Sequence, residues 1–67
     1  MDFLAYAEDL CERNILDYIE YSVLQAIYLK QEKNLNGVKE FIRKEFSPKV
    51  SDRIVNEIEI YEFIYKE

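Results

Sequence analysis

The stretch Ile15–Leu29, ILDYIEYSVLQAIYL, decides the fold, because it is apolar around almost its whole circumference. On a helix at 100° per residue, Ile15, Leu16, Ile19, Val23, Ala26 and Ile27 make one continuous stripe, which is expected to face a core. Tyr18, Tyr21, Leu24, Tyr28 and Leu29 fall outside that stripe, on the expected solvent side. A surface helix in a small domain needs one apolar face. A second needs an owner: more chain, a second copy, or a partner. A chain of 67 residues has little left over to cover it.

Working outward, the helix is expected over about residues 15–33, closing in the polar tail LKQEKN, where Lys30 and Lys33 complement the C-terminal dipole. Upstream, Asp2 can cap a helix over about residues 3–13, with Phe3, Leu4, Ala7, Leu10 and Cys11 on one face. Arg13 suits its C-terminus, and Asn14 can take the left-handed conformation just beyond. A continuous helix through Asn14 is the competing reading, since neither Gly nor Pro enforces a stop there.

Downstream, Asn34-Leu35-Asn36-Gly37 is the clearest turn, because Asn-Gly tolerates positive φ. The residues after Gly37 argue against a β-hairpin: Val38, Phe41, Ile42 and Phe46 keep helical spacing, with Lys39, Glu40, Arg43 and Lys44 opposite, over about residues 36–46. Ser47-Pro48-Lys49 breaks the chain, since Pro disfavours helical geometry in the residue before it. Ser51 then serves as N-cap of a last helix over about residues 51–65, with Ile54, Val55, Ile58, Tyr61 and Tyr65 inward. Glu57-Ile58-Glu59-Ile60 alternates with period two, and IYEFIY is rich in strand-favouring types, so a strand competes over residues 57–65. A lone strand would lack a partner, and helix is the expectation.

The fold class is therefore all-α, a small three- to four-helix bundle forming a single domain over residues 1–67. With 49% hydrophobic and 34% charged residues, the composition is globular, and one Gly and one Pro favour a few long helices over many strands. A membrane span would need about 18 or more apolar residues, and Asp17, Glu20, Ser22 and Gln25 interrupt the best candidate. The segment MDFLAYAED lacks the basic region of a signal peptide. The lone Cys11 has no intramolecular disulfide partner, which suits a reducing, cytoplasmic setting.

Catalysis finds no support. His is absent, removing the commonest general base and metal ligand. Carboxylates at helical spacing (Glu8 and Glu12, Asp17 and Glu20, Glu59 and Glu62) are expected by chance in so acidic a chain, and no Gly-containing loop gathers them. Cys11 has no base to make it a nucleophile and is expected to be a small buried apolar residue. No catalytic, cofactor-binding or metal residues are therefore expected.

Charge is distributed unevenly. Residues 1–29 carry six acids and one base, residues 30–53 seven bases and four acids, and residues 54–67 four acids and one base. The plain consequence is solvated helix faces; the sharper one is a basic patch beside acidic faces. In that basic stretch, residues 36–65 have the outline of a helix-turn-helix, with Arg43, Lys44, Lys49 and Arg53 as nucleic-acid contacts. Glu57, Glu59, Glu62 and Glu67 on the last helix oppose it, as does the net charge of −5.

Protein binding fits more of the sequence. Six tyrosines supply contact area with hydroxyls that stay wet. The expectation is a small, acidic, non-enzymatic protein-binding module, regulatory or inhibitory. It would form a homodimer, dock on a larger protein, or both, through Tyr18, Tyr21, Leu24 and Tyr28. A variant of this idea has Glu8, Asp9, Glu12, Asp17 and Glu20 imitate nucleic-acid charge at a basic site.

Overall fold

Asn14 does end the first helix. Its backbone is left-handed (φ 64°), and the Ile15 N–H donates to the Leu10 carbonyl at 2.9 Å while Asn14 N–H donates to Cys11, the paired bonds of a Schellman turn. The computed structural model describes residues 2–65 and places α1 at Phe3–Glu12, α2 at Tyr18–Lys30, α3 at Leu35–Glu45 and α4 at Pro48–Tyr65. The described residues contain no strand, so residues 57–65 are helical. The all-α expectation holds, as a four-helix bundle with extents of 27 × 25 × 19 Å.

Three helix starts differ from the sequence reading, each for a local reason, and α2 also ends at Lys30 rather than Lys33, because Glu32 and Lys33 take left-handed backbone geometry. First, α2 begins at Tyr18 rather than Ile15. Asp17 and Glu20 form a capping box: the Glu20 N–H donates to Asp17 Oδ1 at 2.7 Å, and the Asp17 N–H donates to Glu20 Oε1 at 3.1 Å. Ile15 and Leu16 therefore belong to the connection, where Leu16 is buried in the core. Second, α3 starts one residue before the expected position, because the Asn34 side chain accepts from the Asn36 and Gly37 N–H groups. Gly37 is helical, and the left-handed residues of this turn are Glu32 (φ 55°) and Lys33 (φ 64°). Third, Pro48 opens α4 instead of holding it off. Its missing N–H and fixed φ suit the first helical position. Ser51 is consequently inside the helix and buried, its hydroxyl donating to the Pro48 carbonyl at 3.2 Å.

The largest correction concerns the orientation of α2. Its core face is Leu24, Ile27 and Tyr28, with Tyr21 packed against the core, whereas Ile19, Val23 and Ala26 face outward. With Ile15 and Leu16 outside the helix, the expected stripe loses two of its six members. Burying Leu24, Tyr28 and Tyr21 then removes more apolar surface from water than burying Ile19, Val23 and Ala26 would.

The core gathers Phe3, Tyr6, Ala7 and Leu10 of α1, Val38 and Ile42 of α3, and Ile54, Val55 and Ile58 of α4 around that face. The half-buried Phe41, Phe46 and Tyr61 pack against it, much as their spacing predicts. Along the chain, α1 packs on α2, α2 on α3, and α3 on α4. Aromatic rings close the ring of helices. Phe3 sits 4.8 Å from Tyr28 and 5.2 Å from Tyr61, and Tyr6 sits 5.2 Å from Tyr61 and 6.1 Å from Tyr65 (centroid separations). Tilted and edge-on pairs of this kind add about 0.5–1.5 kcal/mol each beyond area burial.

Candidate protein interface

Because α2 turns its heavier side inward, its outer side is left apolar and uncovered. Tyr18 is 74% exposed, Ile19 72%, Leu29 53% and Val23 37%, with Ala26 also exposed. These positions fall within one arc of roughly 140° on a helix wheel. Ser22 is the only polar side chain in that arc before Lys30 closes it at the C-terminal end. The exposed ammonium of Lys30 stands over the Phe41 ring at 5.5 Å.

Four residues were expected to share a docking face, and the structure does not bring them together on the surface. Tyr18 is exposed, Tyr21 half-buried, and Leu24 and Tyr28 lie in the core. The exposed face is instead made largely of residues expected inside. An apolar surplus on α2 was legible, but not its direction. A second exposed group, Ile60, Phe63 (90% exposed) and Ile64, lies on the last turns of α4 and was not anticipated. Its sequence signal was the apolar richness on both sides of IYEFIY. Ile60 and Ile64 border a groove of about 400 Å³ between α1 and α4, whose polar wall is internally paired. The Tyr6 hydroxyl donates to Glu57 Oε1 at 3.3 Å, and Arg13 Nε donates to Asp9 Oδ2 at 2.9 Å.

Neither the family, curated-protein nor solved-structure comparison finds a match to this chain. Its residues alone carry the functional reading.

The four cations proposed for nucleic acid part company. Arg53 turns away from the α3–α4 corner. Its Nη1 donates to the Ile15 carbonyl at 2.9 Å and to Glu20 Oε1 at 3.3 Å, and its Nη2 forms a short bond to Glu20 Oε2. The guanidinium hydrogen bond holds the Glu20 carboxyl below the usual carboxylate range, and the same bond raises Arg53. Arg43, Lys44 and Lys49 remain exposed, and among the described residues no carboxylate lies within ion-pair distance of them. Only Phe46 and Ser47 separate α3 from α4.

Three of the six carboxylates at helical spacing have structural duties, while Glu8, Glu12 and Glu59 are exposed. Asp17 and Glu20 cap α2, and Glu62 accepts from Lys39 Nζ at 2.7 Å, tying α4 to α3. Among the described residues no group of three or more Cys, Asp or Glu is placed to hold a metal ion. Cys11 is half-buried rather than fully enclosed. No helix among the described residues is long and apolar enough to cross a membrane.

Proposed function

We propose that this protein acts by contact, as a small non-enzymatic protein-binding module whose docking surface is the outward face of α2. The observation that carries the reading is the uncharged run of Tyr18, Ile19, Val23 and Leu29, exposed on a helix that already has a buried face. Nothing in folding this chain requires that surface to be apolar. A patch combining a tyrosine anchor with aliphatic neighbours is the composition of interface cores. Such a module regulates or inhibits by covering part of what it binds. A cytoplasmic setting goes with this reading, since the lone Cys11 is a thiol. Direct nucleic-acid contact has less behind it: Arg53 is committed to Glu20, and Glu45 and Asp52 stand near Arg43, Lys44 and Lys49 in the chain.

The test is site-specific photo-crosslinking in the native cell. A benzoylphenylalanine in place of Tyr18 is expected to give a defined protein adduct, and the same group in place of Lys49 is not. If the folded Tyr18 probe gives no adduct, or only those seen from position 49, the α2 face is not a docking surface.

A further inference from the structure

We infer that the groove between α1 and α4 is a second docking site, one that takes a cationic, aliphatic helical segment of another protein. It shares no residue with the outward face of α2. The groove has a volume of about 400 Å³, and Ile15, Ile60, Ile64 and Tyr65 give it an apolar lining. Set into that lining is the half-buried carboxylate of Glu57. It accepts from the Tyr6 hydroxyl at 3.3 Å, a bond that satisfies a lone pair and leaves the charge in place. The two guanidinium groups beside the groove are committed elsewhere. Arg13 is held by Asp9, and Arg53, one turn before Glu57 on α4, is turned to Glu20 and the Ile15 carbonyl. Among the described residues no ammonium or guanidinium lies within ion-pair distance of Glu57. The groove therefore holds one uncompensated anion against apolar walls.

That combination selects its ligand. A carboxylate flanked by hydrocarbon is screened less than one in open water, so a cation brought beside it is held more strongly. The Tyr6 and Tyr65 rings, with centroids 6.1 Å apart, add aromatic surface that suits a cation. A neutral apolar ligand would desolvate Glu57 without pairing it, and an acidic one would add repulsion. Along α4, Glu57, Ile60 and Ile64 follow i, i+3, i+7 spacing and lie in one row over about 10 Å. A helix laid along that row reaches all three when it carries one Lys or Arg and two aliphatic residues at matching spacing. The net charge of −5 favours the encounter with such a cationic segment.

The experiment titrates isotope-labelled protein with a capped synthetic helical peptide, Leu along one face and Lys on its flanks, and follows the backbone amide chemical shifts. The shifts are expected to centre on Glu57, Ile60 and Ile64, with dissociation in about the micromolar range. Glu57→Gln keeps an acceptor for the Tyr6 hydroxyl and removes only the charge, and is expected to weaken binding about tenfold with unchanged helicity by circular dichroism. Ile60→Ser is expected to weaken it by a similar factor, and Ile19→Ser on α2 to leave it unchanged. Binding indifferent to Glu57→Gln, or equally tight when Gln replaces Lys in the peptide, overturns the proposal. So does a scrambled peptide of the same composition that binds as well, since charge alone would then suffice. Shifts centred on residues 18–29 overturn it by moving the ligand to α2, and concentration-dependent shifts at Ile60 and Ile64 without peptide overturn it by assigning the groove to a second copy. An absence of shifts at about 1 mM peptide overturns it as well.

Discussion

Glu32 holds a left-handed backbone at the C-terminal end of α2, while Gly37, the chain's only glycine, sits in helical geometry in the first turn of α3. Each residue occupies the kind of site that suits the other. Glutamate in the left-handed region brings its Cβ against the neighbouring carbonyl, and glycine in a helix carries an entropic cost that alanine avoids. Glu32→Gly is therefore expected to stabilise the fold by about 1 kcal/mol, measured by urea denaturation. Gly37→Ala is expected to add about 0.5–1 kcal/mol. A Cβ at position 37 would lie 2.9 Å from Gln31 Oε1, but that atom is the free end of a flexible side chain and can swing aside. If Gly37→Ala destabilises instead, Gln31 is held more firmly than its half-buried position implies.

The start of α2 is the element on which the orientation of the bundle turns. The Asp17–Glu20 capping box stops the helix from absorbing Ile15 and Leu16, and frees Leu16 to enter the core. Asp17→Ala removes the side-chain half of that box and is expected to cost about 1 kcal/mol, with backbone amide exchange quickening first over residues 18–21. Ser51→Ala, at the position expected to cap α4, is expected to change stability by less than about 0.5 kcal/mol, since its hydroxyl only bonds back to Pro48 within the helix. These two substitutions mark what was legible. Aspartate with glutamate three residues on is a helix-start signature, and Pro48 in a first turn is another, so both true starts stood in the sequence. The inward faces of α1, α3 and α4 were legible in large part because each has a polar side to oppose its apolar one. That of α2 was not: with apolar residues all round, only its neighbours decide which side is buried, and Phe3, Tyr61 and Ile54 reach it from distant parts of the chain. The same ambiguity hid the candidate site, because the residues left exposed are those the core did not choose.

At the scale of the whole molecule, two long-range connections set opposite limits on pH stability. On the acid side, Arg53 joins α4 to the capping box of α2 and to the Ile15 carbonyl. Its hydrogen bond lowers the folded pKa of Glu20, so the associated stability is present above the unfolded carboxyl pKa and is lost as pH falls through the lower folded value. The pair is partly exposed, which limits its worth to about 1 kcal/mol, and Arg53→Met is expected to remove that amount at neutral pH while flattening the acid limb below about pH 4.5. On the alkaline side stand Tyr6, Tyr28 and Tyr61, which join α1 to α2 and α4. Burial is the first cause raising all three phenols above the usual value, with Glu57 adding to the effect at Tyr6, Asp2 at Tyr28, and Tyr28 and Asp2 at Tyr61. The folded chain keeps these protons to higher pH than the unfolded chain does, so stability falls as pH rises past about 10. Alkaline unfolding followed by circular dichroism should therefore track the rise of phenolate absorbance. Tyr6→Phe removes one such ionisation together with the hydroxyl bond to Glu57, and is expected to move the alkaline midpoint upward while lowering neutral stability by less than about 1 kcal/mol. An alkaline midpoint unchanged by Tyr6→Phe would mean that another group limits the fold there, with the tyrosine cluster serving as packing alone.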